Sequence, residues 1–174
     1  MAARYSPLAK ALHWITAVLV PGLLAVGFWM TGLPFGLAKL QVYAWHKWLG
    51  LTVLLLTIVR LGWRLYSPPP PLPDSVTAWE RRLAPVGHRA LLLLLVAQPV
   101  VGWLMSSAGG VTVYWLGYVK LPDLVSRDQQ LFALLRVTHA VLAYTLLALV
   151  AVHLLAIVRH DLLRRDGVLR RMWV

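Results

Sequence analysis

Between Val137 and Val158 the chain runs for 22 residues without an Asp, Glu, Lys or Arg. At about 1.5 Å of rise per residue, such a run is long enough as a helix to cross a hydrocarbon core of about 30 Å. Arg136 and Arg159 flank it, as long basic side chains that reach for headgroups should. Inside the run stand His139 and His153, fourteen positions apart. At about 100° per residue this spacing returns both imidazoles to within about 40° of one face, roughly 21 Å apart along the axis. An imidazole in lipid is costly unless it is paired or bound to something, so two on one stripe require partners at two membrane depths.

The rest of the composition agrees with a membrane solvent. Apolar residues make up 60% of the 174, and nine are Trp, which is too greasy for an ordinary soluble domain in a chain too short for many passes. Cysteine is absent, which excludes disulfides, thiolate catalysis, iron–sulfur clusters and covalent c-type haem attachment and leaves histidine as the main soft metal ligand. The net charge of +11 sits in residues that flank apolar segments, so its partner is anionic lipid headgroups and no nucleic acid is expected.

Four spans are predicted, at about residues 8–31, 44–66, 86–107 and 131–159, in a single domain covering 1–174. The first contains Pro21, a potential kink, and ends at Gly32-Leu33-Pro34. Its basic start resembles a secretory signal, but the run is long and lacks a small-x-small cleavage site, so it reads as retained. The second crosses only if Lys47 and Arg60 snorkel to opposite interfaces. Ser67 to Ser75, SPPPPLPDS, is a stiff linker that cannot continue a helix. Trp79 to Arg82 reads as an interfacial turn before the third span, and Gly109 to Gln130, with Tyr114, Trp115 and Tyr118, as a mixed loop or small lid. No internal repeat is evident, and the tryptophans read as an interfacial belt. The class is an all-α integral membrane four-helix bundle.

Counting Lys and Arg sets the orientation. Arg4, Lys10, Arg60, Arg64, Arg81, Arg82, Arg89, Arg159, Arg164, Arg165, Arg170 and Arg171 fall on one side, against Lys39, Lys47, Lys120, Arg127 and Arg136 on the other. The positive-inside rule therefore predicts both termini in the cytoplasm. Depth then sorts the histidines: His13, just past Lys10, and His153, shortly before Arg159, lie toward the cytoplasmic side, whereas His46 and His139 lie at the outer level. Two levels with two imidazoles each, supplied by different helices, is what bis-histidine haem ligation in a bundle requires. Such an iron has no open position, which favours electron transfer over oxygen chemistry. Gly50, one turn after His46, and Gly102 would each let a flat macrocycle approach the backbone.

With these features the chain resembles the bacterial cytochrome b561 group of four-helix dihaem membrane proteins. The resemblance rests on Tyr5-Ser6 before Leu12-His13-Trp14, on His46-Lys47-x-x-Gly50, on Arg60 with Trp63-Arg64, and on the Pro-rich linker. It continues through Gly87-His88, Pro99 with Gly102, and the pair His139 and His153, and so covers nearly the whole chain. It implies two haem b groups with His13, His46, His139 and His153 as axial ligands, paired His13/His153 and His46/His139. It further implies a multi-pass protein of the bacterial inner membrane, a quinone-linked oxidoreductase that passes electrons between ubiquinone or another membrane quinone and a one-electron partner at the outer face. For some relatives that partner is held to be superoxide; a redox protein is the other option.

Three further residues stand beside these. His88, next to Arg89, is placed to bond a haem propionate or a quinone carbonyl, or else to face headgroups. Arg136, one turn before His139, is within reach of a haem carboxylate, its alternative being interfacial snorkelling. His160, among Arg159, Asp161 and Arg164, is expected on a solvated tail face. Two other functions compete with the oxidoreductase. One is a haem-bearing anchor that relays electrons to or from a separate redox subunit. The other is a histidine-based metal or ion transporter, against which stands the lack of Asp or Glu in any predicted span and of interrupted repeat symmetry.

Overall fold

A computed structural model describes residues 4–73, 76–165 and 167–173. Asp74 and Ser75 of the linker, and Asp166 and Val174 of the tail, lie outside the described residues. Helices α1 (Pro7–Thr31), α2 (Leu37–Tyr66), α3 (Ala78–Ala108) and α4 (Gln129–Val158) carry most of the chain. Among the described residues these four, with α4 continuing to Arg164, are long and apolar enough to cross a membrane. They form an integral membrane four-helix bundle.

Local chemistry explains the boundaries. At the start of α1 the Ser6 hydroxyl accepts from Ala9 N–H and Pro7 occupies the first turn, where its missing N–H costs nothing. The helix runs on through Pro21 without ending there. Helix α2 starts at Leu37, seven residues before the predicted Ala44, and Lys39 in its first turn donates to the carbonyls of Thr31 and Leu33 at 3.2 and 2.8 Å. That ammonium caps the end of α1 and locks the turn between the helices. Helix α3 also starts early. The predicted turn at Trp79–Arg82 is its first turn, because Thr77 and Glu80 form a capping box in which Glu80 accepts from the Thr77 N–H at 3.0 Å. Asp128 caps α4 by accepting from Gln130 and Leu131.

The loop after α3 holds a small antiparallel hairpin, β1 (Tyr114–Trp115) with β2 (Val119–Lys120), where the sequence suggested only a mixed loop. Two-residue strands leave too short a pattern to read, and the turn is carried by Leu116 and Gly117 at φ 54° and 80°. Trp115 donates from its indole to the Thr52 hydroxyl at 3.1 Å and so ties the hairpin to α2. Trp63 donates to Ser6 and Trp103 to the Pro122 carbonyl, which makes these tryptophans connectors between elements as well as interfacial residues.

At the opposite end, the chain leaves α4 through a π-helical turn, Arg159–Arg164, and folds back over the start of α1. There Trp14 donates to Met172 O at 2.8 Å, Lys10 to Trp173 O at 2.8 Å, and Tyr5 N–H to Arg171 O. The chain's only glutamate anchors this strap: Glu80 meets Arg159 at 2.9 Å and Arg164 at 2.7 Å. His160 lies 3.9 Å from the same carboxylate with its side chain only 14% exposed. The expectation of a solvated face for His160 is therefore corrected, because the π turn rotates it inward, toward α3.

Packing follows chain order. Helix α1 packs on α2, α2 on α3 and α3 on α4, whereas α1 and α4 come close at few points and α2 and α4 at fewer. The common core is a layer of Val20, Leu24, Val53, Leu95 and Leu146, with residues from all four helices.

Candidate functional site

In every helix the core residue stands midway between two others in a seven-residue step: 13, 20 and 27 in α1; 46, 53 and 60 in α2; 88, 95 and 102 in α3; 139, 146 and 153 in α4. A seven-residue step keeps side chains on one slowly drifting stripe of a helix. The bundle thus has three layers. The apolar layer of Val20, Val53, Leu95 and Leu146 lies in the middle. Toward the end with both termini lie His13, Arg60, His88 and His153, and toward the hairpin end lie Gly27, His46, Gly102 and His139.

At the terminal level the rings of His13 and His153 have centroids 6.4 Å apart with planes at 74°. His88 joins them, 5.6 Å from His153, and Arg60 donates from Nη2 toward Nδ1 of His13 at 3.2 Å. At the hairpin level the rings of His46 and His139 are also 6.4 Å apart, at 79°. Gln98 donates from Nε2 to the backbone carbonyl of His139 at 3.1 Å and sits 3.3 Å from its Nε2. Nδ1 of His46 and of His139 is buried with no hydrogen-bond partner among the described residues.

Whether such pairs suit a shared metal can be tested on distance. Two imidazoles facing each other across one metal through bonds of about 2.0–2.1 Å have ring centres roughly 6.3 Å apart. Both pairs have that spacing. Each pair, moreover, bridges helices that pack loosely against each other, α1 with α4 and α2 with α4. The paired imidazole donors fit the donor set of a b-type haem.

The glycines divide differently from the sequence reading. A Cβ on Gly102 would lie 3.0 Å from Cε1 of His139, whereas one on Gly50 would meet nothing within 4 Å. Arg136 is exposed at the start of α4. Gly27, Gln98 and the contact of Arg60 with His13 were not read as site features. Gln98 had a signal, being an amide inside a predicted apolar span. Gly27 and Arg60 had one too, since each lies fourteen residues from a histidine on its own helix, the interval already noted between His139 and His153.

The family described as prokaryotic cytochrome b561 matches residues 4–174 of this chain. The chain belongs to the prokaryotic cytochrome b561 family. Similar proteins include "Cytochrome b561 homolog 2" of Escherichia coli (strain K12), 31% identical over 97% of this chain and 90% of the relative. "Probable superoxide oxidase CybB" of Yersinia pestis is 27% identical over 97% and 95%, and "Cytochrome b561 homolog 1" of Escherichia coli (strain K12) 29% over 97% and 96%. Membership in the cytochrome b561 family makes this a multi-pass bacterial membrane protein of b-type haem and electron transfer.

Proposed function

We propose that this protein carries single electrons across the bacterial inner membrane through two b-type haems, one at each level. The observation that supports it best is the equal 6.4 Å spacing of His13 with His153 and of His46 with His139, at opposite ends of an apolar layer. Two imidazoles do not complete a metal's coordination, whereas a porphyrin brings the four remaining donors and, when bound, the reversible one-electron chemistry of its iron. His13 with His153 and His46 with His139 would hold the groups, and Val20, Val53, Leu95 and Leu146 would keep water out of the layer between them. A neutral imidazole that binds metal through Nε2 carries its proton on Nδ1 and cannot accept there. With haem bound, Arg60 would be free of His13 and could pair with a haem carboxylate, with His88 beside it. Arg136 would have the corresponding role at the hairpin level, and the open space at Gly50 would leave room for the group.

The inner electron partner is a membrane quinone, and the outer one is a one-electron reactant. Similarity to the probable superoxide oxidase of Yersinia pestis makes superoxide the first substrate to test. With twelve Lys and Arg at the terminal end and five at the hairpin end, both termini face the cytoplasm. Reporter fusions after residue 173 and within residues 109–128 should give opposite sidedness; equal sidedness removes the orientation. Purified protein should give a dithionite-reduced minus oxidised spectrum of b-type haem at two haems per chain. A stoichiometry of one, or none, overturns the two-level reading.

A further inference from the structure

We propose that Gly27 and Gly102 are positioning residues that set the ring planes of His46 and His139 by leaving no side chain against them; this rests on the haem-ligand reading above. A Cβ on Gly27 would lie 3.1 Å from Cε1 of His46, and one on Gly102 would lie 3.0 Å from Cε1 of His139. At both positions the nearest atoms all belong to the imidazole and none to the facing backbone. Close helix approach is therefore not what calls for glycine here; the edge of the ring is. The same step of the seven-residue register supports this at the other level, where Arg60 and His88 are large and polar. The two levels differ at these register positions. Arg60 lies against His13 and His88 against His153, whereas Gly27 faces His46 and Gly102 faces His139 across the helix pairs α1/α2 and α3/α4, with Gln98 as the polar neighbour of His139.

A methyl group at either glycine requires the ring to give by a few tenths of an ångström, either by turning about its Cβ–Cγ bond or by tilting. Either motion changes the 79° angle between the two outer rings, and the relative orientation of axial imidazoles tunes the electronic state and potential of the iron between them.

The test uses full-length haem-loaded protein with Gly27→Ala, Gly102→Ala and, as a control, Gly22→Ala, where a Cβ meets nothing within 4 Å. Low-spin EPR of the oxidised protein and a redox titration are recorded, the outer-level signal being the one missing from His46→Ala. G27A and G102A should each move the outer-level g values and midpoint, or lose that haem alone, while the inner-level signal stays as in wild type and thereby reports an intact bundle. Spectra of G27A and G102A that superimpose on G22A overturn the inference, as do equal shifts at both levels or loss of both haems. Wild-type protein without haem would instead overturn the ligand reading itself.

Discussion

Alanine in place of His139 should leave a protein with one haem per chain where two are expected in the wild type, and alanine in place of His46 should give the same remaining spectrum. The reason is geometric. The two rings sit 6.4 Å apart at one level, and a haem that loses one axial imidazole loses half of its protein–iron bonds along with the orientation they impose. His13→Ala and His153→Ala should remove the other haem, so the four variants fall into two spectroscopic classes of two. Arg60 and His88 neighbour only the terminal pair, which gives the surviving haem a different environment in each class. Haem stoichiometry and reduced-state band position measure this directly. Four identical spectra, or two haems kept in any single variant, would break the assignment of pairs.

The second large effect concerns encounter at the hairpin end. Superoxide-dependent haem reduction should slow as salt rises, and Lys120→Glu should slow it on the order of ten-fold at low ionic strength, the lower range of electrostatic steering. Five cations lie at this end, against Asp123 and Asp128. Both carboxylates are engaged locally, Asp123 accepting from the Thr112 hydroxyl at 3.4 Å and Asp128 from the first amides of α4. Lys39 is held by the carbonyls of Thr31 and Leu33, whereas Lys120 stands exposed on β2. At physiological salt the Debye length is about 8 Å, so much of the advantage is screened there and must be sought in dilute buffer. Stopped-flow rates over a salt series decide it. A rate indifferent to salt and to the substitution assigns these cations to headgroups and haem carboxylates and leaves the outer partner to be a protein.

Span number and the absence of a soluble core were legible from charge-free runs alone, because a hydrocarbon solvent imposes length and composition together. Boundaries were less so. The early start of α3 depends on one box, Thr77 with Glu80, and that of α2 on Gly36 followed by residues that do not themselves break a helix. The strap was hidden for another reason. Glu80 and its arginine partners lie about eighty residues apart in sequence, and only folding shows that one carboxylate serves both Arg159 and Arg164. In the site, the histidines announce themselves because imidazole in lipid demands a cause. Gly27 does not, since glycine is common in membrane helices for many reasons. Its meaning came from position, one register step from Val20 and against the edge of His46.

That α4 brings an imidazole to each level bears on the order in which such a protein can be made. A chain with only α1, α2 and α3 inserted has His13 and His88 at one level but His46 alone at the other. No hairpin-level pair exists until residue 139 has entered the membrane, and His153 follows about four turns later. On the proposed ligand pairs, cofactor capture would be a late step of biogenesis that coincides with the arrival of the helix that α1 and α2 barely touch directly. The last described residues then return to Tyr5, Lys10 and Trp14 and shut the end through which the chain began. A ribosome stalled before α4 would hold a three-helix hydrophobic intermediate without a complete histidine pair at the hairpin level.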